Sequence, residues 1–301
     1  MFPHPLRAVG NMLSSRNSGL RRDNIRSRQS LKEPAPKASP NLMRDFILTC
    51  QWYTIMGVGI AFFACLYFVF GGLNWLLSRR ILPAFGYGRV LDPRPLAPQQ
   101  LRRELGESAV TIFLFGTGMV FPWGLLQLGW AKLAEQASGW QIALEILFMV
   151  VWNEVHFYLS HRLLHVSWLK RFHLPHHRSV VTTPWTCYSF TPLEAMMLGN
   201  VLLLPMLLHD FSIYSLAFVP VFSIVFNNIG HSNYDYLPDA DRDRWWLNGA
   251  RRHHLHHACY RGNYGFMFPF MDRLFATELA PDAAEARIAR GAKADEKQNA
   301  A

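Results

Sequence analysis

The sequence predicts an all-α protein, a multi-pass membrane helical bundle with a His-rich helical cap on its cytoplasmic side. Apolar residues make up 50% of the 301 residues and charged residues 17%, whereas an ordinary soluble domain is about 25% charged. The apolar residues lie in long runs, and twelve of the thirteen histidines fall between residues 156 and 257. This composition excludes a wholly disordered chain, and four cysteines without framework spacing exclude a disulfide scaffold.

Five apolar runs follow one another along the chain. Residues 51–77 contain no Lys, Arg, Asp or Glu, and about 20 such residues in a helix cross a hydrocarbon core roughly 30 Å thick. The remaining runs are 108–130, 140–160, 193–208 and 211–230. The fourth run is short and would pair with the fifth as a hairpin that barely crosses the bilayer. We therefore expect four or five hydrophobic membrane helices.

Polar segments flank this apolar region. Residues 1–45 hold nine Lys and Arg against three Asp and Glu, a composition that predicts a disordered basic tail. Residues 46–279 form the predicted membrane-embedded domain. Residues 280–301 are rich in alanine and charged residues and predict a polar C-terminal tail.

The charges of the loops predict the orientation in the membrane. A return pair made by the last two runs places 161–192 and 231–301 on one side, together with the loop 78–107. That side carries 20 Lys and Arg and the other carries 10, so the positive-inside rule places the histidines in the cytoplasm. The basic tail fits this badly, because an odd number of helices sends it outside. Either the tail is translocated, or the first run does not fully span.

Three histidine clusters have the spacing of metal ligands. On a helix that continues the third apolar run, His161 and His165 share one face and can converge on one point. Two HxxHH motifs follow, at 173–177 and 253–257. In each motif we expect the first two histidines to share a face and the third, about 100° further round, to reach a neighbouring centre. This arrangement suits two adjacent metal ions, and imidazole binds Zn, Fe, Cu and Ni.

Other polar residues near these clusters are candidates for orienting the imidazoles. His254 breaks the HxxHH pattern, and Glu194, Asn228 and Asp235 lie close to the histidines in sequence. Asp235 has two interpretations, a metal ligand or an acceptor for an imidazole N–H. An isolated histidine such as His209 is expected to be an ordinary surface or core residue.

The order of these motifs resembles that of the fatty acid hydroxylase/sterol desaturase superfamily. The motifs are HRxLH at 161–165, HxxHH at 173–177, TPxE at 191–194, NxxH at 228–231, HxxHH at 253–257, NYG at 263–265 and DRLFxT at 272–277. They cover about residues 140–278, and the stretch from His231 to Pro238 is most similar to the sterol-modifying branch. The resemblance implies a membrane non-haem di-iron oxygenase of the histidine-box type.

The resemblance also implies a ligand set and a reaction. Nine histidines would hold two iron ions: His161, His165, His173, His176, His177, His231, His253, His256 and His257. O2 would be the co-substrate, and a C–H bond of a sterol or fatty-acyl lipid would be hydroxylated or desaturated. We expect no fused cytochrome b5-like domain, and therefore an external donor, either a cytochrome b5-like protein or a ferredoxin with its reductase. The membrane would be a bacterial inner membrane or the endoplasmic reticulum.

Two alternatives use the same histidine frame. One is a zinc-dependent membrane hydrolase, and the other is a non-enzymatic metal-binding membrane protein; zinc can also replace iron in an isolated oxygenase. The net charge of +9 fits anionic lipid surfaces or an acidic donor protein. Nucleic-acid binding is disfavoured, because the basic residues lie in tails and juxtamembrane loops.

Overall fold

The computed structural model of this chain is mostly helical and describes residues 41–237 and 249–280, with the single positions 286 and 289. Within these residues four helical stretches are long and apolar enough to cross a membrane. They are Trp52–Ala84, Gln100–Gln127, Gly139–Leu164 and Ile213–His231. The predicted all-helical membrane bundle is confirmed, with four long helices.

The described residues form twelve α-helices, two short strands and two short helical turns of other types. In chain order they are α1 (Leu42–Thr49), α2 (Trp52–Leu76), a π-helical turn (Leu77–Ile81), α3 (Leu82–Ala84), β1 (Arg89–Val90), α4 (Gln100–Gly118), α5 (Val120–Gln127), α6 (Gly139–Leu164), α7 (Lys170–His177), a 3-10 turn (Pro184–Tyr188), α8 (Pro192–Gly199), α9 (Leu203–Leu208), α10 (Ile213–His231), β2 (Tyr234–Asp235), α11 (Gly249–Cys259) and α12 (Phe270–Leu274).

The fourth apolar run is divided into two short helices, α8 and α9, rather than one membrane-length helix. Thr191 begins α8 by accepting a hydrogen bond from the backbone N–H of Glu194, and Pro192 occupies the first helical position. Both features are typical of a helix start. Ser212 then caps α10 in the same way, through the N–H of Tyr214. The broken pair therefore returns the chain to the end of the bundle at which α10 begins.

The histidine-bearing end of the bundle is closed by a small antiparallel ribbon. Arg89 pairs with Asp235 and Val90 with Tyr234. This pairing holds the loop between α3 and α4 against the segment that follows α10. The predicted placement of loop 78–107 on the histidine side of the bundle agrees with this contact.

The first membrane helix crosses the whole bundle. At the end away from the histidines, Leu133 forms a bridge with Phe211, and Trp123 Nε1 donates to the carbonyl of Ile47 in α1 over 3.1 Å. At the histidine end, Tyr236 donates to Oδ1 of Asn74 near the end of α2 over 2.8 Å. Helix α2 therefore runs between the two ends of the bundle, and α1 lies at the end opposite the histidines. The alternative in which the first run does not fully span the membrane stays a prediction.

Helices α2 and α4 touch backbone to backbone. A Cβ placed on Gly59 would lie 2.5 Å from the carbonyl oxygen of Gly116, and one on Gly116 would lie 2.4 Å from the amide nitrogen of Ile60. Small residues allow membrane helices this close approach. This contact lies near the end of α4, whereas the start of α4, which carries Glu104, lies at the histidine end and contacts residues 179–186.

Two large apolar clusters and a small one formed by Leu255 and Cys259 fill the interior, and other apolar side chains face outward. The first cluster includes Phe63, Tyr67, Ile112, Tyr188 and Ile224, and the second includes Met149, Met206, Phe211, Leu216 and Val219. Exposed side chains on the long helices include Phe68, Leu73, Phe113, Leu147 and Val151. Apolar side chains on the outer surface are expected where lipid, rather than water, surrounds the bundle.

The predicted tails lie almost entirely outside the described residues. Residues 1–40 and most of 281–301 are not described. Helix α1 begins at Leu42, within the last residues of the predicted basic tail. The predicted boundaries at 45 and 280 stay predictions.

Candidate metal centre

The histidine clusters lie on four helices that meet at one end of the bundle. His161 is in the last turn of α6 and His165 directly follows that helix, whereas His231 ends α10. The short helix α7 carries His173, His176 and His177, and α11 carries His253, His256 and His257. Four chain segments distant in sequence therefore bring all nine predicted ligands together.

The nine imidazoles form two groups, within each of which the candidate ligand atoms all lie within 4.8 Å of one another. The five-histidine group contains His161, His165, His173, His177 and His256. The four-histidine group contains His176, His231, His253 and His257. Two groups of this kind can hold two metal ions.

The expected division of each HxxHH motif is wrong. His173 and His177 share the five-histidine group while His176 belongs to the other, and His253 and His257 share the four-histidine group while His256 belongs to the five. Residues four apart on a helix are offset by about 40°, and residues three apart by about 60° in the opposite sense. The first and last histidines of each motif are therefore the better-aligned pair, and the middle one crosses to the second group.

Most of the contacts inside the groups join one Nε2 atom to another. In the five-histidine group His173 Nε2 lies 3.1 Å from that of His161 and 2.9 Å from that of His177, and His177 lies 3.1 Å from His256. In the four-histidine group the distances are 3.2 Å for His231–His176, 2.9 Å for His253–His231 and 3.1 Å for His257–His253. The Nε2 atoms therefore converge.

The opposite ring nitrogens face hydrogen-bond acceptors. The Nδ1 atoms of five rings lie 2.6–3.1 Å from backbone carbonyl oxygens: His161 with Tyr264, His176 with Ser189, His231 with Asn227, His256 with Gly262 and His257 with Ser179. His173 Nδ1 lies 2.8 Å from Oε1 of Glu194. Because a carbonyl oxygen can only accept, Nδ1 carries the hydrogen in the five rings that face carbonyls, and the Nε2 of each neutral ring carries a lone pair. An ionised Glu194 imposes the same tautomer on His173.

This tautomer makes the centre fit a metal. In the pairs His161–His173 and His176–His231, two lone pairs face each other across 3.1 and 3.2 Å, an arrangement that only a cation between or beside them stabilises. Nine nitrogen donors with neutral rings suit iron, zinc, copper or nickel rather than magnesium or calcium. The residues present therefore fit a borderline transition metal in each group.

Burial keeps these rings neutral. It lowers the pKa of His165 to about 2, with a smaller contribution from repulsion by His161. Burial, followed for most of these rings by repulsion from neighbouring rings, also lowers the pKa well below the usual value for His173, His176, His177, His253, His256 and His257. A neutral imidazole is the form that binds a metal, so no proton has to be displaced at neutral pH.

Tyrosine rings cover the side of the five-histidine group that includes His165. The ring centroid of Tyr260 lies 4.8 Å from that of His165 and 4.6 Å from that of His177. Tyr264 lies 5.0 Å from His165 and 5.5 Å from His256. These contacts restrict the approach of water to the group from that side.

The four residues expected to orient the imidazoles have different positions. Glu194 contacts His173, as above. Asn228 donates from Nδ2 to Cys187 Sγ over 3.4 Å and to the carbonyl of Ile224 over 3.1 Å, and Asp235 pairs with Arg89 across the ribbon, its Oδ2 3.5 Å from Nε.

His254 is buried, belongs to neither histidine group and has a charge interaction with Asp92. Burial alone would raise the pKa of Asp92, but hydrogen bonds from Arg94, and to a lesser extent charge interactions with Arg94 and His254, lower it. His209, expected to be ordinary, pairs with Glu145 at 3.2 Å at the far end of the bundle. His254 thus belongs to the polar cap of the histidine end rather than to either group.

Sequence reasoning missed the residues that supply most of the acceptors. Ser179, Ser189, Gly262 and Asn227 act through backbone carbonyls, and a backbone carbonyl leaves no mark in the residue type. The NYG motif was the one available signal, because its tyrosine, Tyr264, supplies the carbonyl for His161.

Comparison with known proteins places this centre in a family. The fatty acid hydroxylase family profile matches residues 146–277. A Δ(7)-sterol 5(6)-desaturase from Leptosphaeria maculans is 28% identical over 239 residues, covering 77% of this chain and 63% of the relative. The enzyme of the same name from Eremothecium gossypii is 31% identical over 231 residues, covering 71% and 62%. Residues 146–277 therefore match the fatty acid hydroxylase family, and the chain is similar to sterol desaturases of the fatty acid hydroxylase/sterol desaturase superfamily.

The superfamily has further members among the relatives. A very-long-chain aldehyde decarbonylase from Oryza sativa subsp. indica is 26% identical over 216 residues, covering 67% of this chain and 34% of the relative. The matched part of the chain thus spans less than two thirds of the length of these relatives. No solved structure matches the chain. The profile match contains all nine histidines and the residues whose backbone carbonyls contact five of them, so the resemblance drawn from the motifs is confirmed.

Proposed function

We propose that this chain is an integral membrane di-iron oxygenase, which uses O2 to hydroxylate or desaturate a C–H bond of a sterol or fatty-acyl lipid. The observation that carries the proposal is the convergence of nine imidazoles in two groups at one end of an apolar helical bundle. Backbone carbonyls hold five of these rings with the Nε2 lone pair free for a metal. Metal-ligating histidines in families of this kind bind through one nitrogen and donate the other N–H to a fixed acceptor.

The nine histidines would hold two iron ions, one in each group, and bound iron would supply the redox chemistry needed to attack an unactivated C–H bond with O2. The chain's own contribution is to hold the rings in one tautomer, through the five carbonyls and Glu194. The buried position of both groups, and the tyrosine rings over the five-histidine group, exclude water, which limits side reactions. No other side chain is assigned a catalytic role.

A lipid substrate is supported by an apolar row that ends at the centre. Phe157 lies on α6 with its ring 5.1 Å from His161 and 4.8 Å from Phe266. Phe266 lies 6.2 Å from Phe222 of α10, and Phe222 lies 5.6 Å from Phe218, one turn deeper in the bundle. All of these rings are half-buried. An acyl chain or sterol ring lying in the bilayer would reach His161 along this row.

The distribution of Lys and Arg supports an orientation for the protein and a type of electron donor. The Lys and Arg excess on the histidine side supports a cytoplasmic centre. A basic surface on that side would attract an acidic donor, such as a cytochrome b5-like protein or a ferredoxin. The sterol desaturases among the relatives support a sterol-type lipid in the bacterial inner membrane or the endoplasmic reticulum.

The decisive experiment compares cells that express this chain with cells that express the His176→Ala variant. We expect one lipid class to gain an oxygen atom or lose two hydrogens only with the unaltered chain. The purified protein should contain iron and consume O2 when given reductant and that lipid, and His176→Ala should lower both values. Bound zinc without O2 consumption, or unchanged turnover in His176→Ala, would contradict the proposal.

A further inference from the structure

Two loops at the histidine end each supply backbone carbonyls to the rings of one metal group. The loop between α7 and α8, residues 178–191, supplies the carbonyls of Ser179 and Ser189, which accept from His257 and His176. Both of these rings belong to the four-histidine group. We name residues 178–191 the first loop.

The loop between α11 and α12, residues 260–269, is named the second loop. Its Gly262 and Tyr264 carbonyls accept from His256 and His161 over 2.6 and 3.0 Å. Both of these rings belong to the five-histidine group. Because a carbonyl acceptor fixes the rotation of an imidazole, the conformation of each loop sets the aim of two Nε2 atoms in one group.

A buried carboxylate on α4 holds the first loop. Glu104 is 0% exposed, and its two oxygens accept from Ser179 Oγ at 2.7 Å, Thr183 Oγ1 at 2.6 Å and Thr186 Oγ1 at 2.9 Å. All three donors belong to the first loop. Ser179 thus donates its hydroxyl to Glu104 while its carbonyl accepts from His257, so one residue links the carboxylate to the metal group.

The second loop is held by backbone hydrogen bonds to two other carboxylates. Asp272 accepts from the N–H groups of Tyr264 and Gly265, and Glu154 accepts from those of Phe266 and Met267, each over 2.8 Å. Asp272 is 0% and Glu154 1% exposed. Four successive peptide groups are therefore fixed by two carboxylates.

Gly265 lets the carboxylates approach the second loop so closely. A Cβ at this position would lie 2.6 Å from the carbonyl oxygen of Phe268, 2.9 Å from Oδ2 of Asp272 and 3.1 Å from Oε1 of Glu154. Any side chain larger than hydrogen would have to move the loop, and with it the Tyr264 carbonyl. The last glycine of the NYG motif is therefore explained by this contact.

Burying a carboxylate is unfavourable unless hydrogen bonds replace its hydration. At the second loop, Arg252 offsets the cost of burying Asp272, because its Nη2 lies 3.1 Å from Oδ2 of that carboxylate. At the first loop the compensation comes from hydroxyl groups and from Gln100 Nε2 at 2.7 Å. Stability alone does not account for these buried carboxylates, because well-packed apolar residues are often as stabilising as buried ions.

We propose that Glu104, and separately Glu154 with Asp272, are positioning residues that each set the metal affinity of one group. Glu104 acts through the first loop on the four-histidine group, and the other two act through the second loop on the five-histidine group. The inference rests on the proposed function in one respect, namely that each group binds a metal ion. It adds that the two metal positions are controlled by different parts of the chain.

The test is a ferrous-iron titration of the metal-depleted full chain in lipid nanodiscs, without O2 and without substrate. The unaltered chain should bind two ions. Glu104→Gln and Asp272→Asn should each lower the affinity for one of the two ions by about 10–100-fold and leave the affinity for the other unchanged. Glu145→Gln is the matched control: Glu145 is 5% exposed and accepts from Ser212 and Ser215 at the far end of the bundle, so both ions should bind normally.

Ligand variants identify which position is affected. His231→Ala removes a ligand of the four-histidine group, so in this background Asp272→Asn should lower the affinity for the remaining ion and Glu104→Gln should not. His256→Ala removes a ligand of the five-histidine group, so in that background Glu104→Gln should lower the affinity for the remaining ion and Asp272→Asn should not. If a carboxylate variant does not fold, a second variant tests each loop. Ser179→Ala removes one hydroxyl donor to Glu104 in the first loop, and Gly265→Ala displaces the second loop while keeping both of its carboxylates.

The outcomes separate the two levels of inference. If the unaltered chain binds no iron, the proposed function fails. If it binds two ions but each carboxylate variant weakens both equally, or neither, the separate control of the two positions is overturned while the proposed function stands. Mössbauer spectra of the iron-57 protein give a second readout, since only the affected group should change its spectrum.

Discussion

His173 donates its Nδ1 hydrogen to Oε1 of Glu194 over 2.8 Å, and both side chains are buried. Glu194 lies in the first turn of α8, where the helix dipole favours a carboxylate, but burial outweighs this and raises the pKa of Glu194 well above its usual value. Thr191, which caps this helix, also donates its hydroxyl to the carbonyl of Phe172, next to His173, over 2.6 Å. The start of α8 therefore fixes both the ring of His173 and the backbone that carries it.

Glu194→Ala should weaken iron binding by about 10–100-fold, because it removes the acceptor that fixes His173. Glu194→Gln should retain much of the affinity, since its amide oxygen can accept the same hydrogen bond. Iron content after dialysis at a fixed free-iron concentration measures the difference. Glu278→Gln, at an exposed ion pair with Arg273, is the control. Equal loss in both Glu194 variants would indicate that charge, not hydrogen bonding, is the required property.

The metal-free protein should lose stability as the pH falls. The histidines of the two groups are held neutral in the folded state because burial lowers their pKa, to about 2 for His165, whereas in the unfolded chain they protonate below about pH 6.5. The unfolded state then binds more protons, so stability decreases as the pH falls below about 6.5, by up to about 1.4 kcal/mol per pH unit for each ring. Thermal unfolding between pH 8 and pH 5 measures this slope.

Replacing two ligands should reduce that slope. The His173→Ala, His256→Ala double variant has two fewer buried neutral rings, so its stability should depend less steeply on pH in the same range. An equal slope for the variant and the unaltered chain would show that other groups govern the acid sensitivity.

Gly116→Ala should destabilise the contact between α2 and α4. Its Cβ would lie 2.4 Å from the amide nitrogen of Ile60, so the helices must separate, and overpacking of this kind costs about 1–3 kcal/mol. Gly106→Ala, on the exposed face of the same helix with nothing within 4 Å of its Cβ, should be neutral or slightly stabilising. Thermal denaturation in one detergent compares the two. A Gly116→Ala protein as stable as Gly106→Ala would refute the close contact.

Phe222→Ala should reduce the selectivity of the reaction and leave the iron content of the protein unchanged. Phe222 lies in the phenylalanine row between the bilayer and His161, and a shorter side chain gives the lipid more than one position. We expect normal iron content with a broader set of product isomers, measured by mass spectrometry of the lipid. Phe113→Ala, at an exposed position on α4, should leave the product set unchanged.

The sequence alone determined the helical membrane bundle and the nine histidines that meet. Residues 51–77 lack any charge over a length that crosses a bilayer, and histidines at helical spacing are expected to share faces, so the bundle and the three histidine clusters follow from local periodicity. The full set of nine ligands, including His231, followed from the resemblance of the motifs to the family. The same local reasoning failed inside the HxxHH motifs, where His173 joins His177 rather than His176. Offsets of 40° and 60° are too similar for spacing to decide when the partner helix is not known.

The tertiary structure decided which acceptors hold the rings and which carboxylates hold the acceptors. Glu104 contacts residues 75 to 82 positions away, and Glu154 contacts the backbone more than 110 positions away. Hydrogen bonds to backbone groups leave no pattern in residue type, and buried carboxylates in apolar helices have many possible partners. Their roles depend on how the helices pack, because burial makes each unpaired polar atom unfavourable and so selects the fold in which they are paired.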